Sequence, residues 1–290
     1  NGKMARRPTD AMGGLVAVWV APDASDVVRG AAERRRQFLD VALAQLDPLF
    51  RQAALDYARV LAQRNRLLAA GDSADQAARE LLEVYDGQLA RAASVVVARR
   101  RELVEELAPL AREYHRELAG HAAGLLELRY RCSVSGSGSG GQAEEQDYPA
   151  RLAARLRALR AAELARGVTL VGPHRDDVGI LVGGVEVRQF GSRGQQRSVA
   201  LAMHLALWQC VARRCGEAPV LLVDDAPAEL DEGRRARLVG LLPQQAQVLV
   251  SATEAELLGP LRARGREVPI WEVRDGSVEG PRTGGLGVQG

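Results

Sequence analysis

At 290 residues and 47% apolar composition, the chain can bury a substantial core in one large domain or two smaller ones, which points to a globular fold. A formal charge of +2 excludes bulk attraction to a polyanion as a signal, so only the distribution of charge can identify a nucleic-acid surface. The three cysteines, Cys132, Cys210 and Cys215, show neither CxxC spacing nor paired histidines, which argues against a disulfide framework or structural zinc and for a reduced, cytoplasmic chain. Lys3 is the only lysine, so nearly every basic group is a guanidinium, a bias that either phosphate recognition or a GC-rich genome produces.

Residues 15–20 form a short apolar run stopped by Ala21-Pro22-Asp23, the pattern of a buried strand. From Glu33 to about Arg131 the composition turns to Ala, Leu, Arg and Glu. Phe38, Leu39, Ala42, Leu43 and Leu46, and later Leu103, Leu107 and Leu110, recur at helical spacing, with one break at Gly71-Asp72-Ser73. The Gly/Ser-rich and then acidic stretch 133–147 reads as a flexible connection. Residues 151–166 return as a helix with five arginines against one acid, Glu163; phosphate contact and a solvated face are both open readings.

Beyond Gly167, residues 168–171 read as a strand, and two short apolar runs flank Gly183-Gly184 as a tight hairpin. A helix over 198–213, a strand over 220–223, a helix over 234–242 and a strand over 247–250 follow, and this alternation predicts an α/β layer with a largely parallel sheet. The apolar stretch 199–212, interrupted by His204 and Gln209, is too short to span a membrane and reads as a buried helix. His204 and Trp208 on it read as packing residues, and the end after Thr283 as a tail.

Three motifs carry chemistry. Val220-Leu221-Leu222-Val223 runs into Asp224-Asp225; at the carboxyl end of a parallel strand, Asp224 can hold Mg²⁺ and Asp225 can orient a water, although an acidic turn would look the same. Ser192-Arg193-Gly194-Gln195-Gln196-Arg197 opens the long helix, where unpaired amides and the helix dipole favour phosphate, or where the serine is merely a cap. Ala228-Glu229-Leu230-Asp231 has the form of a D-loop or of a helix cap, and Ser251 and Thr253 place hydroxyls after the next strand. His174-Arg175-Asp176 lacks the downstream asparagine of a kinase loop and the further ligands of a metal site.

Together with Arg34-Arg35-Arg36, Asp40, Gln63-Arg64-Asn65 and Gly172-Pro173-His174-Arg175-Asp176-Asp177, these motifs resemble the RecF family across nearly the whole chain. The resemblance implies an incomplete ABC-type P-loop NTPase head, α/β in class, with an inserted helical, coiled-coil-like lobe. Residues 1–30 and 167–283 would form the head, 31–166 the arm and 284–290 the tail. It further implies ATP and Mg²⁺ as cofactors, ATP-dependent homodimers on DNA, and help to RecR and RecO in loading RecA at gaps. Ser192, Gly194, Gln195, Gln196, Asp231 and Thr253 would face nucleotide, with Asp224 and Asp225 catalytic. Arg34, Arg35, Arg36, Arg64, Arg66 and the run Arg99 to Arg101 are the DNA-contact candidates.

No G-x-x-x-x-G-K-[ST] loop occurs, and Gly2-Lys3 is followed by Met4, which offers no hydroxyl to a metal. An upstream segment bearing that loop is therefore expected, with little hydrolysis by this chain alone. Two alternatives remain at this level, a transporter's nucleotide-binding subunit, against which the long helical arm argues, and a non-hydrolysing dimer scaffold.

Overall fold

The structure, a computed structural model, describes residues 15–70, 76–120, 123–134, 147–225, 230–254, 259–262 and 268–282. The expected break at Gly71-Asp72-Ser73, most of the Gly/Ser-rich connection, the Gly2-Lys3 pair, Glu229 and the tail lie outside the described residues.

In chain order the elements are β1 (Ala17–Val20), α1 (Asp26–Arg29), α2 (Ala32–Leu46), α3 (Pro48–Ala70), α4 (Gln76–Ala119), β2 (Leu126–Arg131) and α5 (Tyr148–Arg166). A single 3₁₀ turn (Pro173–Arg175) leads to β3 (Asp177–Val182), β4 (Val185–Glu186), α6 (Val187–Phe190), α7 (Arg193–Cys215) and β5 (Val220–Asp224). Then come α8 (Glu232–Leu241), β6 (Val248–Ser251), α9 (Gly259–Arg262), β7 (Ile270–Arg274) and β8 (Ser277–Arg282).

Strands β1, β5 and β6 form a parallel sheet with β5 in the centre, as the strand–helix alternation predicts. One face carries Val18, Val20, Leu221 and Val223 into the core. The other aligns Trp19, Leu222 and Leu249 in register, and Trp19 stays 57% and Leu249 48% exposed. Behind the buried face lies α7, apolar almost all round, the signature of a helix inside a core. His204 lies within it as a packing residue: Nδ1 donates to the Ala200 carbonyl at 2.8 Å and the ring meets Phe38 edge-on at 5.0 Å. Trp208 donates Nε1–H to the Pro219 carbonyl at 2.9 Å.

Helix α4 is the spine of the molecule. Leu82, Leu89, Val96, Leu103 and Leu110 are buried at intervals of seven, the repeat that keeps one seam of a helix against its neighbours. Its N-terminal half packs with α3 and α5 in one apolar cluster, through Leu89, Ala93 and Val97. Its C-terminal half packs with α7 and the strands in the other, through Leu103, Leu107 and Ala111.

Two expectations are corrected. The helical reading as far as Arg131 fails: α4 ends at Ala119, and β2 pairs antiparallel with β3 from Leu126↔Val182 to Arg131↔Asp177. Leu126 and Leu128 alternate inward, so period two governs a stretch that its Leu and Arg content made look helical. Conversely, residues 168–171 form no strand. Their amides are held by side chains instead of a ladder: Thr169 N–H donates to Asn65 Oδ1 at 2.9 Å and Leu170 N–H to Glu163 Oε1 at 2.8 Å.

Candidate functional site

The carboxyl ends of β5 and β6 are level, with Asp224 opposite Ser251. Ser251 has one hydroxyl proton and donates it to Asp224 Oδ1, while its oxygen accepts from the Asp225 amide at 3.1 Å. That bond accompanies a left-handed backbone at Asp225, φ 51°, which aspartate tolerates better than most residues. Asp225 Oδ1 is buried with no hydrogen-bond partner among the described residues. The residue borders a cavity of about 40 Å³ shared with Pro22, Ser25, Arg197 and Leu230. Ser251 engages one oxygen of Asp224, and among the described residues Oδ2 is left for a further ligand. A lone carboxylate beside a hydroxyl suits Mg²⁺, which keeps several waters and takes phosphate oxygens as its other ligands. Among the described residues no group of three or more His, Cys, Asp or Glu could form an all-protein metal cage.

Ser192 starts α7 with a capping box: its Oγ accepts from Gln195 N–H at 3.2 Å, and Gln195 Oε1 accepts from Ser192 N–H at 2.8 Å. The amides of Arg193 and Gly194, in the first turn, have no intrahelical acceptor by geometry. Gln196 donates to the carbonyls of Val187 at 3.2 Å and Arg188 at 3.4 Å and so ties α6 to α7. In this structure the Gln195 and Gln196 amides are therefore committed to the chain's own backbone. Gly194 faces the next helix, where an added Cβ would stand 2.5 Å from Arg234 Nη1. Arg234 lies in the first turn of α8, whose N-cap is Asp231, accepting the Arg234 amide at 2.9 Å. Thr253 lies exposed two residues beyond β6. One edge thus brings together Asp224, Asp225, Ser251, Arg197 and the α7 and α8 N-termini. Sequence reasoning named Ser251 but gave it no part in holding Asp224; the matched strand ends were the available signal.

The arginine candidates divide by burial. Arg34 is exposed, 3.8 Å from Asp26, and Arg66 is exposed on α3. Arg36 is half-buried and donates to the Asp176 carbonyl at 2.8 Å; burial and the neighbouring Arg100 charge lower its pKa. Arg99 pairs with Asp47 at 2.9 Å and with Glu102, and Arg101 is half-buried. Arg35, Arg64 and Arg100 leave the DNA-facing set, because each is buried and committed to acids. Arg35 forks onto Asp177 at 2.6 and 3.0 Å, and Arg100 onto Asp40 at 2.7 Å twice. Arg64, 0% exposed, donates to Asp86 at 2.8 Å, Thr169 at 2.8 Å and Glu163 at 2.6 Å.

The segment Gly172 to Asp177 closes this interior network. Asp176 accepts from Tyr130 Oη and from Ser133 N–H, both at 2.7 Å, and burial raises its pKa against those bonds. His174 Nε2 lies 3.1 Å from the Thr169 carbonyl, which only accepts, so Nε2 carries the proton and Nδ1 accepts from Tyr57 Oη at 2.6 Å. Burial pulls the His174 pKa down to about 4, which keeps the ring neutral.

A parallel sheet whose central strand ends in paired aspartates, a buried helix opening at the same edge and a helical lobe inserted in sequence between the strands define an ABC-type ATPase head. No protein-family profile matches the chain. Over 257 residues it is 38% identical to the DNA replication and repair protein RecF of Gloeobacter violaceus, covering 89% of this chain and 67% of that one. To RecF of Symbiobacterium thermophilum it is 38% identical over 278 residues, covering 96% and 72%. A solved structure of the recombination mediator protein RecF-ATP in the RecFOR pathway superposes with a TM-score of 0.80 at 25% identity, over 96% of this chain and 71% of that one. The chain belongs to the RecF family of DNA replication and repair proteins.

Proposed function

We propose that this chain supplies the signature, Walker B and D-loop half of a weak, DNA-dependent ATPase of recombinational repair and replication restart. Asp224 would hold Mg²⁺ with Ser251 fixing one of its oxygens, and Asp225 would orient the attacking water. The bound ion would neutralise charge developing on the phosphates. Ser192, the Gly194 amide and Asp231 would meet the γ-phosphate side of ATP held by a second copy, so that ATP closes a homodimer on DNA at gaps. RecR and RecO, and through them RecA, are the partners this reading assigns. The observation that carries it is the Ser251–Asp224 bond on the edge where Ser192 opens α7.

In the full-length protein, Asp224→Asn is expected to lower Mg²⁺-dependent hydrolysis by about 100-fold or more, the scale of losing a charge-stabilising group, while ATP still binds. Ser192→Arg should leave nucleotide binding intact and abolish ATP-dependent dimers in sedimentation. Dimers that persist in Ser192→Arg at saturating ATP overturn the cross-subunit assignment. No turnover by the wild type, with or without DNA, replaces the ATPase with a dimer scaffold.

A further inference from the structure

Helix α5, the arginine-rich segment for which the sequence leaves phosphate contact and a solvated face open, presents a basic surface. Leu152, Leu156 and Glu163 are each 0% exposed and mark its inner face. Glu163 is the helix's only acid, and it is turned inward, accepting from Arg64 at 2.6 Å and from the Leu170 amide at 2.8 Å. Arg160 is drawn the same way, onto Asp86. The outside of α5 is therefore left without negative charge of its own.

At about 100° per residue, Ala154, Ala158, Ala161 and Ala165 run along the outward face, and all four are exposed. Arg155 and Arg166 flank that face on one side and Arg157 on the other, all exposed, with no acid paired to any of them among the described residues. Arg155 and Arg166 are eleven residues apart, so they return to nearly the same angle about 16 Å along the axis. The basic surface continues onto α3: Gly167 abuts Ala69, where an added Cβ would meet the Ala69 Cα at 3.3 Å, and exposed Arg66 lies one turn earlier.

We propose that this face of α5, with Arg66 at its margin, is a backbone-contacting surface for duplex DNA, with Arg155, Arg157 and Arg166 binding phosphates. Guanidiniums on both flanks of a smooth helix about 10 Å wide suit a groove about 12 Å wide bordered by phosphates, and the alanines permit the approach without reading bases. The inference rests on the DNA-binding reading above and names the surface that does the binding.

The test is anisotropy of a labelled duplex titrated with full-length protein at several salt concentrations. For Arg155→Ala/Arg157→Ala/Arg166→Ala, loss of three phosphate contacts should flatten the slope of log K against log salt by about 2.7, with affinity at moderate salt falling tenfold or more on any sequence. A control removing three exposed arginines elsewhere, Arg29→Ala/Arg116→Ala/Arg274→Ala, should leave the slope within about 0.5 of wild type. Nucleotide binding and the thermal transition of the α5 variant should match wild type, since none of its three residues is buried. An unchanged slope in an α5 variant that still binds DNA overturns the assignment to this face, as does an equal loss in the control. A wild-type protein that binds no duplex at any salt removes the DNA reading itself, a separate outcome.

Discussion

The Gly172 to Asp177 segment and the Ser192 to Arg197 segment are equally motif-like in the sequence, yet the fold uses them in opposite ways. The first faces inward except for the exposed Arg175, with His174, Asp176 and Asp177 tied to Tyr57, Thr169, Tyr130, Ser133, Arg35 and Arg36. The second opens outward, with Ser192 and Arg193 exposed and first-turn amides without intrahelical acceptors. The contrast teaches that a dense run of charged and small residues marks a constrained segment without saying whether the constraint is internal or a ligand. Burial decides.

The largest effect that would break this contrast belongs to the interior network. Arg64→Met leaves Glu163 buried without its cation and Asp86 with Arg160 alone, and should destabilise the protein by about 3–5 kcal/mol in urea unfolding. A cost below about 1 kcal/mol would mean that the network is dispensable. Next is Gly172→Ala. The native φ of 128° is closed to a side chain, and the new Cβ would stand 2.6 Å from Tyr57 Oη, so a loss of about 2 kcal/mol is expected. At the open edge, Ser192→Ala removes only a cap, and its cost should be about 1 kcal/mol, with any larger change appearing in ATP-dependent dimerisation.

A separate effect is a dependence on pH. His174 has its pKa lowered from 6.5 to about 4 in the fold, so between these values the unfolded chain binds a proton that the folded chain does not. Its contribution is present above pH 6.5 and is lost as pH falls through that window. The stability difference between wild type and His174→Gln should therefore shrink from pH 7 to pH 4.5. Asp176, whose pKa is raised, acts in the opposite sense in both proteins and cancels in the difference. A difference independent of pH would show that His174 titrates in the native state as it does in the unfolded chain, and one that grew as pH fell would show it protonated there.

Much of this was legible in the sequence where local rules govern. The run from Val220 into Asp224-Asp225 gave β5, and the apolar stretch around Val199 to Val211 gave α7, because burial on all sides leaves a continuous apolar record. β2 was hidden because its six residues follow a 44-residue helix of similar composition, although Gly120 and Gly124 mark the break. The false strand at 168–171 has the right residues, but its hydrogen-bond partners are Asn65 and Glu163, far away in the chain. Charge was the least legible feature. Arg35 meets an acid 142 positions away and Arg64 one 99 positions away, and no local pattern separates such a residue from an exposed one.

Helix α4 has a mechanical consequence. At about 1.5 Å per residue its 44 residues make a rod of about 66 Å. One half is seated among α3 and α5, beside the arginine-flanked face, and the other against α7, whose first turn opens at the edge that carries Asp224. A tilt of about 5° about Arg100 would displace the N-terminal end, about 36 Å away, by about 3 Å. A single helix thus joins the two apolar clusters, and Arg100 ties it near mid-length to Asp40 and the Pro173 carbonyl.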